Sequence, residues 1–269
     1  KDIVFNSAFP EKEMKREKEV ITDEINSYMD IPGELIFDDF EDQIYRGHSL
    51  GRNILGTPGS LAAITRNDIH NFIKDHYHTD QMVLCSVGNI PSGRFRHAVE
   101  KHFGSFPGNL RQKQRNPAGK YQSNHVRVSK DSFQAHCIIG NTGYSLQHER
   151  RIGLHLLNNI IGGPGLNTRL NMSLREKNGY SYHTESHFSP YSDTGVLSVY
   201  FSSDKSKVER SRKVVMREFA RLRDKKLGSL QLQRAKRQLL GQIAISAENN
   251  ETLMLSSAKS YLVYNRIDS

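Results

Sequence analysis

The chain has 269 residues, is 36% hydrophobic and 25% charged, and carries a formal net charge of +9. That length and balance suit a globular chain of one large or two ordinary domains and exclude a collagenous or disordered one. Its longest uninterrupted apolar runs are a few residues, far short of the roughly 20 that a membrane-spanning helix needs, so no membrane is expected as a partner.

In chain order, a helix is expected over 11–29, opened by Pro10 and stopped before Pro32 and Gly33. Residues 50–60 are loop-like, with three Gly and one Pro. Thr65-x-x-Asp68 reads as a capping box that opens a helix with Ile69, Phe72, Ile73 and His76 on one face. Residues 81–90 read as a buried strand and 94–103 as a further helix. From 107 to 119 the apolar pattern lapses, which marks a boundary between two parts. Beyond it, strands are expected at 125–129 and 135–140, then a helix over 149–161 broken by Gly162-Gly163-Pro164-Gly165. A short helix ends near Asn178 and Gly179. Strands follow at 180–188 and 195–201, and two long helices at 205–226 and 229–263 close the chain. Strands and helices interleave without strict βαβ alternation, which argues for an α+β fold.

Charge is unevenly spread. Residues 205–237 hold thirteen Lys or Arg against three acids, and residues 11–43 hold four against twelve. In the basic segment Val208, Val215, Phe219 and Leu222 share one helical stripe, opposite Arg210, Lys213, Arg217 and Arg221. This is the pattern of a solvated basic face. No zinc finger or RNP-type aromatic motif accompanies it, so nucleic acid is not the expected partner. The two cysteines, Cys85 and Cys137, are too few for a disulfide scaffold and lie in apolar, strand-like runs, as buried thiols do.

Three groups could carry chemistry. Glu17 and Glu24 stand seven residues apart, hence two helical turns apart on one face, alongside Val20, Ile21, Ile25 and Tyr28. Carboxylates within an apolar stripe need a cation, a proton or a metal, unless Lys18 or another basic group reaches them. His183, Glu185 and His187 alternate on one face if their segment is a strand; all three are zinc-ligand types, and a polar strand face is the plainer reading. The glycines at 162–165 lack a following Gly-Lys-Ser/Thr and do not make a nucleotide loop. No Gly-x-Ser-x-Gly elbow is present, so acyl-enzyme chemistry has no support.

Several stretches carry a resemblance: FPEKEMKREKEVITDEINSY (9–28), GHSLGRNILGT (47–57), FIKDHYHTDQMVLCSVGNI (72–90) and IIGGPGLNTRLNMSLREKNGYSY (160–182). Together they resemble the pitrilysin/insulinase family of zinc metallopeptidases, and most closely its bacterial members similar to mitochondrial processing peptidase. The resemblance implies an α+β fold of two similar halves, each a mixed sheet packed with helices, closing as a clamshell. Residues 1–108 would be the remainder of the N-terminal metal-binding half, and 120–269 an incomplete C-terminal substrate-binding half.

The implied activity is zinc-dependent endopeptidase cleavage of peptides or unfolded segments. In that family two His and a Glu hold zinc, with H-x-x-E-H supplying both His and the general base. The resemblance makes Glu24 the third zinc ligand and Glu17 the supporting acid. Arg175 and Tyr182 become the groups that hold the peptide backbone and stabilise the tetrahedral oxyanion. None of the twelve His begins or ends an H-x-x-E-H. The chain therefore reads as an interior piece, cut at both ends, of a longer peptidase that binds Zn2+ when intact. The alternative is a non-catalytic homologue that binds peptides or pairs with an active subunit. Expected partners are a peptide substrate and a second copy or a homologous subunit. By strand parity Tyr182 should face away from the His183–Glu185–His187 row.

Overall fold

Two prolines bracket the first long helix. The computed structural model describes residues 1–112 and 114–267. After a single turn, α1 (Asp2–Phe5), helix α2 spans Glu11–Met29, and α3 (Pro32–Ile44) starts at the proline after which α2 cannot continue. Proline suits the first position of a helix because its missing N–H has no partner there.

Helices α4 (Pro58–Ala63) and α5 (Arg66–His76) both open with reciprocal capping boxes, at Thr57/Ser60 and Thr65/Asp68. In the second, the Thr65 amide donates to Asp68 Oδ2 at 2.7 Å and the Asp68 amide to Thr65 Oγ1 at 3.3 Å. The Thr65 hydroxyl, which donates to Asp68 Oδ2 at 2.6 Å, and then the Thr65 amide hold the Asp68 carboxyl below its usual range. Then come α6 (Ser92–Phe103), β1 (Ala135–Thr142), α7 (Arg151–Gly162), a π-helical turn (Asn171–Glu176), β2 (Ser181–Pro190) and β3 (Gly195–Ser203). Helices α8 (Val208–Asp224), α9 (Ser229–Ala247) and α10 (Asn250–Tyr264) complete the chain. The fold is α+β.

Three expectations are revised. The helix expected over 229–263 is two helices, because Asn249 caps α10 by accepting the Thr252 amide at 2.9 Å. The strands expected at 81–90 and 125–129 form no ladder among the described residues. A strand is defined by its neighbour, and apolar β-branched residues do not provide one. The sheet, expected to be mixed, is antiparallel throughout, with order β1–β3–β2.

The chain divides into two compact units interleaved along the sequence. One comprises Lys1–Ile25, Thr57–Arg115 and Gln242–Ser269, the other Asn26–Gly56 and Asn116–Gly241. In the first, Lys18 Nζ donates to the carbonyls of Ala62 and Ile64 at 2.9 and 2.5 Å, tying α2 to the end of α4. Leu61 is buried, while Phe72, on the apolar face of α5, stays 56% exposed.

The second unit is a sandwich. On one face of the sheet Val199 and Phe201 pack with Ile161 of α7, Leu174 of the π-helical turn and Val215 of α8 into a fully buried core. Against the other face lies α3, with Phe40 and Ile44 packed on Val196 and Ile138. Gly140 allows that approach: a Cβ there would strike the Leu197 carbonyl and come within 2.7 Å of Phe40 Cζ.

Candidate functional site

Glu17 and Glu24 stand on α2 as expected, two turns apart, and both carboxylates are exposed. The stripe beside them is only partly covered, with Ile25 buried and Val20 51% exposed. Neither carboxylate makes a hydrogen bond or ion pair among the described residues, and Lys18 reaches backbone carbonyls instead of them. Among those residues no three His, Cys, Asp or Glu side chains stand together as a metal shell. A single carboxylate is not a zinc site, so the residues of this chain alone do not fit the ion.

Arg175 and Tyr182 flank one turn. Arg175 is the penultimate residue of the π-helical turn, with its side chain 54% exposed and its Nε 4.0 Å from Glu176 Oε1. The Gly179 amide then closes on the Arg175 carbonyl at 2.9 Å, at a backbone φ of +57° that suits glycine. Tyr182 falls where β2 breaks register with β3, Ser181 facing Ser203 and His183 facing Ser202. The irregularity interrupts strict alternation at that residue, so the parity argument that set Tyr182 against His183 does not hold there.

The Tyr182 hydroxyl donates to Asp204 Oδ1 at 3.1 Å, and Lys207 Nζ lies 2.8 Å from Asp204 Oδ2. Bonds from Lys207 and Tyr182 hold the Asp204 carboxyl low, and Asp204 raises the Lys207 ammonium. Lys207 also donates to the Gly179 carbonyl at 3.5 Å, so one network links the turn after Arg175 to the Tyr182 phenol. Sequence reasoning did not find Asp204 and Lys207. Their i, i+3 spacing at the start of α8 is the only local signal of a pair.

His183, Glu185 and His187 do share a face of β2. Both imidazole Nε2 atoms approach the same Glu185 Oε2, at 3.4 and 3.1 Å. Next to them Tyr200 shares a 2.7 Å hydrogen bond with His136 Nδ1, and the Phe37 ring of α3 lies 5.2 Å from the Tyr200 ring and 5.8 Å from that of His187. The row is a polar strand face beside α3 rather than a closed metal site.

A family model described as "Peptidase M16 inactive domain" matches residues 63–239. An uncharacterized zinc protease of Bacillus subtilis, YmxG, is 31% identical over 262 residues, covering 97% of this chain and 63% of the relative. A Schizosaccharomyces pombe protein named "Probable mitochondrial-processing peptidase subunit beta" is 26% identical over 279 residues, 98% of this chain and 60% of that protein. Among solved structures, a peptidase M16 inactive domain from Pseudomonas fluorescens superposes with a TM-score of 0.89 at 21% identity, covering 98% of this chain and 62% of that one. A protease from Helicobacter pylori gives 0.81 at 19% identity, over 96% and 64%. The chain thus spans less than two thirds of the length of these proteins.

Proposed function

This chain belongs to the M16 peptidase family, and from that premise we propose that the protein it represents is a zinc-dependent endopeptidase acting on peptides or unfolded segments. Relatives named as zinc proteases support the reading. The observation that carries it is the pair Glu17 and Glu24, solvent-facing on one side of α2 and without an internal partner. In this reading Glu24 supplies one ligand to zinc, with the His pair outside this chain, and Glu17 supports that ligand.

In this reading residues 1–108 belong to the metal-binding half and 120–269 to the substrate-binding half, a division along the sequence that the compact units cross, with Asn26–Gly56 in the second unit and Gln242–Ser269 in the first. The absence of helix or strand between Phe103 and Ala135, among the described residues, supports a join there. Arg175 presents a half-exposed guanidinium to the peptide backbone, and the Tyr182 phenol serves an oxyanion by turning its single O–H away from Asp204, which holds it in the free chain. Replacing Glu24 by Gln in the whole protein should abolish both zinc retention and peptide cleavage. Unchanged zinc content and turnover would refute the assignment.

A second reading is a non-catalytic subunit that holds peptides or pairs with an active homologue or a second copy. It is favoured by the description of the matching family model as an inactive domain and by the absence of H-x-x-E-H from these 269 residues. An H-x-x-E-H elsewhere in the whole protein decides for the enzyme. Among the described residues no helix is long and apolar enough to cross a membrane.

A further inference from the structure

Between α7, the loop before the π-helical turn and the first half of α9, the second unit holds a cavity of about 220 Å3. Its lining includes the polar side chains of Asn167, Thr168, Arg169, Gln231, Arg234 and Gln238, and no carboxylate. Arg169 approaches Glu218 Oε2 at 3.5 Å, but the other oxygen of Glu218 already accepts from Arg221 at 2.5 Å. Two guanidiniums therefore share one carboxylate whose side chain is only 8% exposed, which leaves a positive charge uncompensated beside the cavity. Arg234 of α9, which also lines the cavity, makes no hydrogen bond or ion pair among the described residues.

The amides around these arginines are held in place. Asn167 Nδ2 donates to Gln238 Oε1 at 3.1 Å, and Gln238 Nε2 donates back to Asn167 Oδ1 at 3.3 Å. Gly165 makes room for the pair, since a Cβ there would come within 2.6 Å of Asn167 Oδ1 and 2.8 Å of Gln238 Nε2.

We propose that this cavity is an oxyanion site, taking one phosphate or carboxylate group between Arg169 and Arg234. Guanidinium forks match such groups in charge and in geometry, and a partly enclosed site weakens the screening that makes surface pairs cheap to lose. The volume falls below the range of pockets that enclose a drug-sized ligand, so the occupant is a small anion or a single acidic side chain. The site is independent of zinc and of the α2 carboxylates.

The test is calorimetric titration of the whole protein, at constant ionic strength, with inorganic phosphate, succinate and a hexaglutamate peptide. One saturable site is expected. Arg234→Gln, a change on an exposed helix surface, should weaken it by at least about tenfold, a loss readily resolved in Kd. Arg210→Gln and Lys213→Gln, on the outer face of α8, should leave it unchanged. Tighter binding of phosphate or succinate identifies a free anion as the occupant, and tighter binding of hexaglutamate an acidic polypeptide. Absence of saturable binding by all three probes overturns the proposal. So does equal weakening by the α8 variants, which would mean diffuse attraction to a basic surface.

Discussion

The two faces of the three-stranded sheet are built from the same strands and behave oppositely. Toward α7 and α8, β3 presents Val199 and Phe201, both fully buried against apolar side chains. Toward α3 it presents Ser198, Tyr200 and Ser202, opposite His136, His183, Glu185 and His187. One face is joined by shape and exclusion of water; the other combines an apolar patch, where Phe40 and Ile44 meet Val196 and Ile138, with hydrogen bonds and ring contacts. The contrast locates where change is tolerated: truncation should cost stability steeply on the α7–α8 face and only in small steps at the polar side chains of the α3 face.

The largest expected effect is Phe201→Ala, which empties a site with no solvent access and should cost about 3–5 kcal/mol in urea unfolding. Next is Gly140→Ala, whose new methyl meets backbone and the Phe40 ring and should cost about 1–3 kcal/mol as α3 is displaced. Tyr200→Phe removes the 2.7 Å bond to His136 and the hydrogen bond with Ser202 and should cost about 1 kcal/mol. If Tyr200→Phe proved as damaging as Phe201→Ala, the contrast between the faces would fail.

The smallest effect is on the pH dependence, and each face contributes one histidine to it. Burial lowers the pKa of His136, on the α3 side, below 6.5, and burial together with Arg151 does the same to His155, whose ring lies 4.6 Å from that of Phe188. The unfolded chain therefore binds protons that the native chain refuses between 6.5 and the lowered values. The stability that comes from keeping these rings neutral is present above pH 6.5 and is lost as pH falls through that window. His136→Gln and His155→Gln should each flatten the fall of the urea midpoint between pH 7 and pH 5. A slope unaltered in both variants would show that neither ring reports on its face.

Much of the local structure was legible in the sequence. Pro10 and Pro32 bounded α2, and Thr65 with Asp68 announced α5, because these signals act within one turn of chain. The basic stripe of α8 was legible too, since Val215 lies in the core while Arg210, Lys213 and Arg217 face solvent. Asn249 was an equally local signal but was overlooked within an unbroken helical pattern. The candidate site was legible only as residue types in a family pattern. The hold of Asp204 on Tyr182, 22 positions away, left no local trace.

Short-range spacing and residue order fixed α2, α5, α6 and α7 to within about two residues, the strands β1 to β3, the α+β class and the kinship, but neither α3 nor the break between α9 and α10. Tertiary structure alone decided which apolar runs become strands, since 81–90 and 125–129 have the composition but no neighbour to bond. It also decided that Glu17 and Glu24 face solvent, and that Arg169 and Arg221 crowd one buried Glu218. The physical reason is the same in each case. Pairing, burial and the balance of charge are properties of groups brought together from distant parts of the chain.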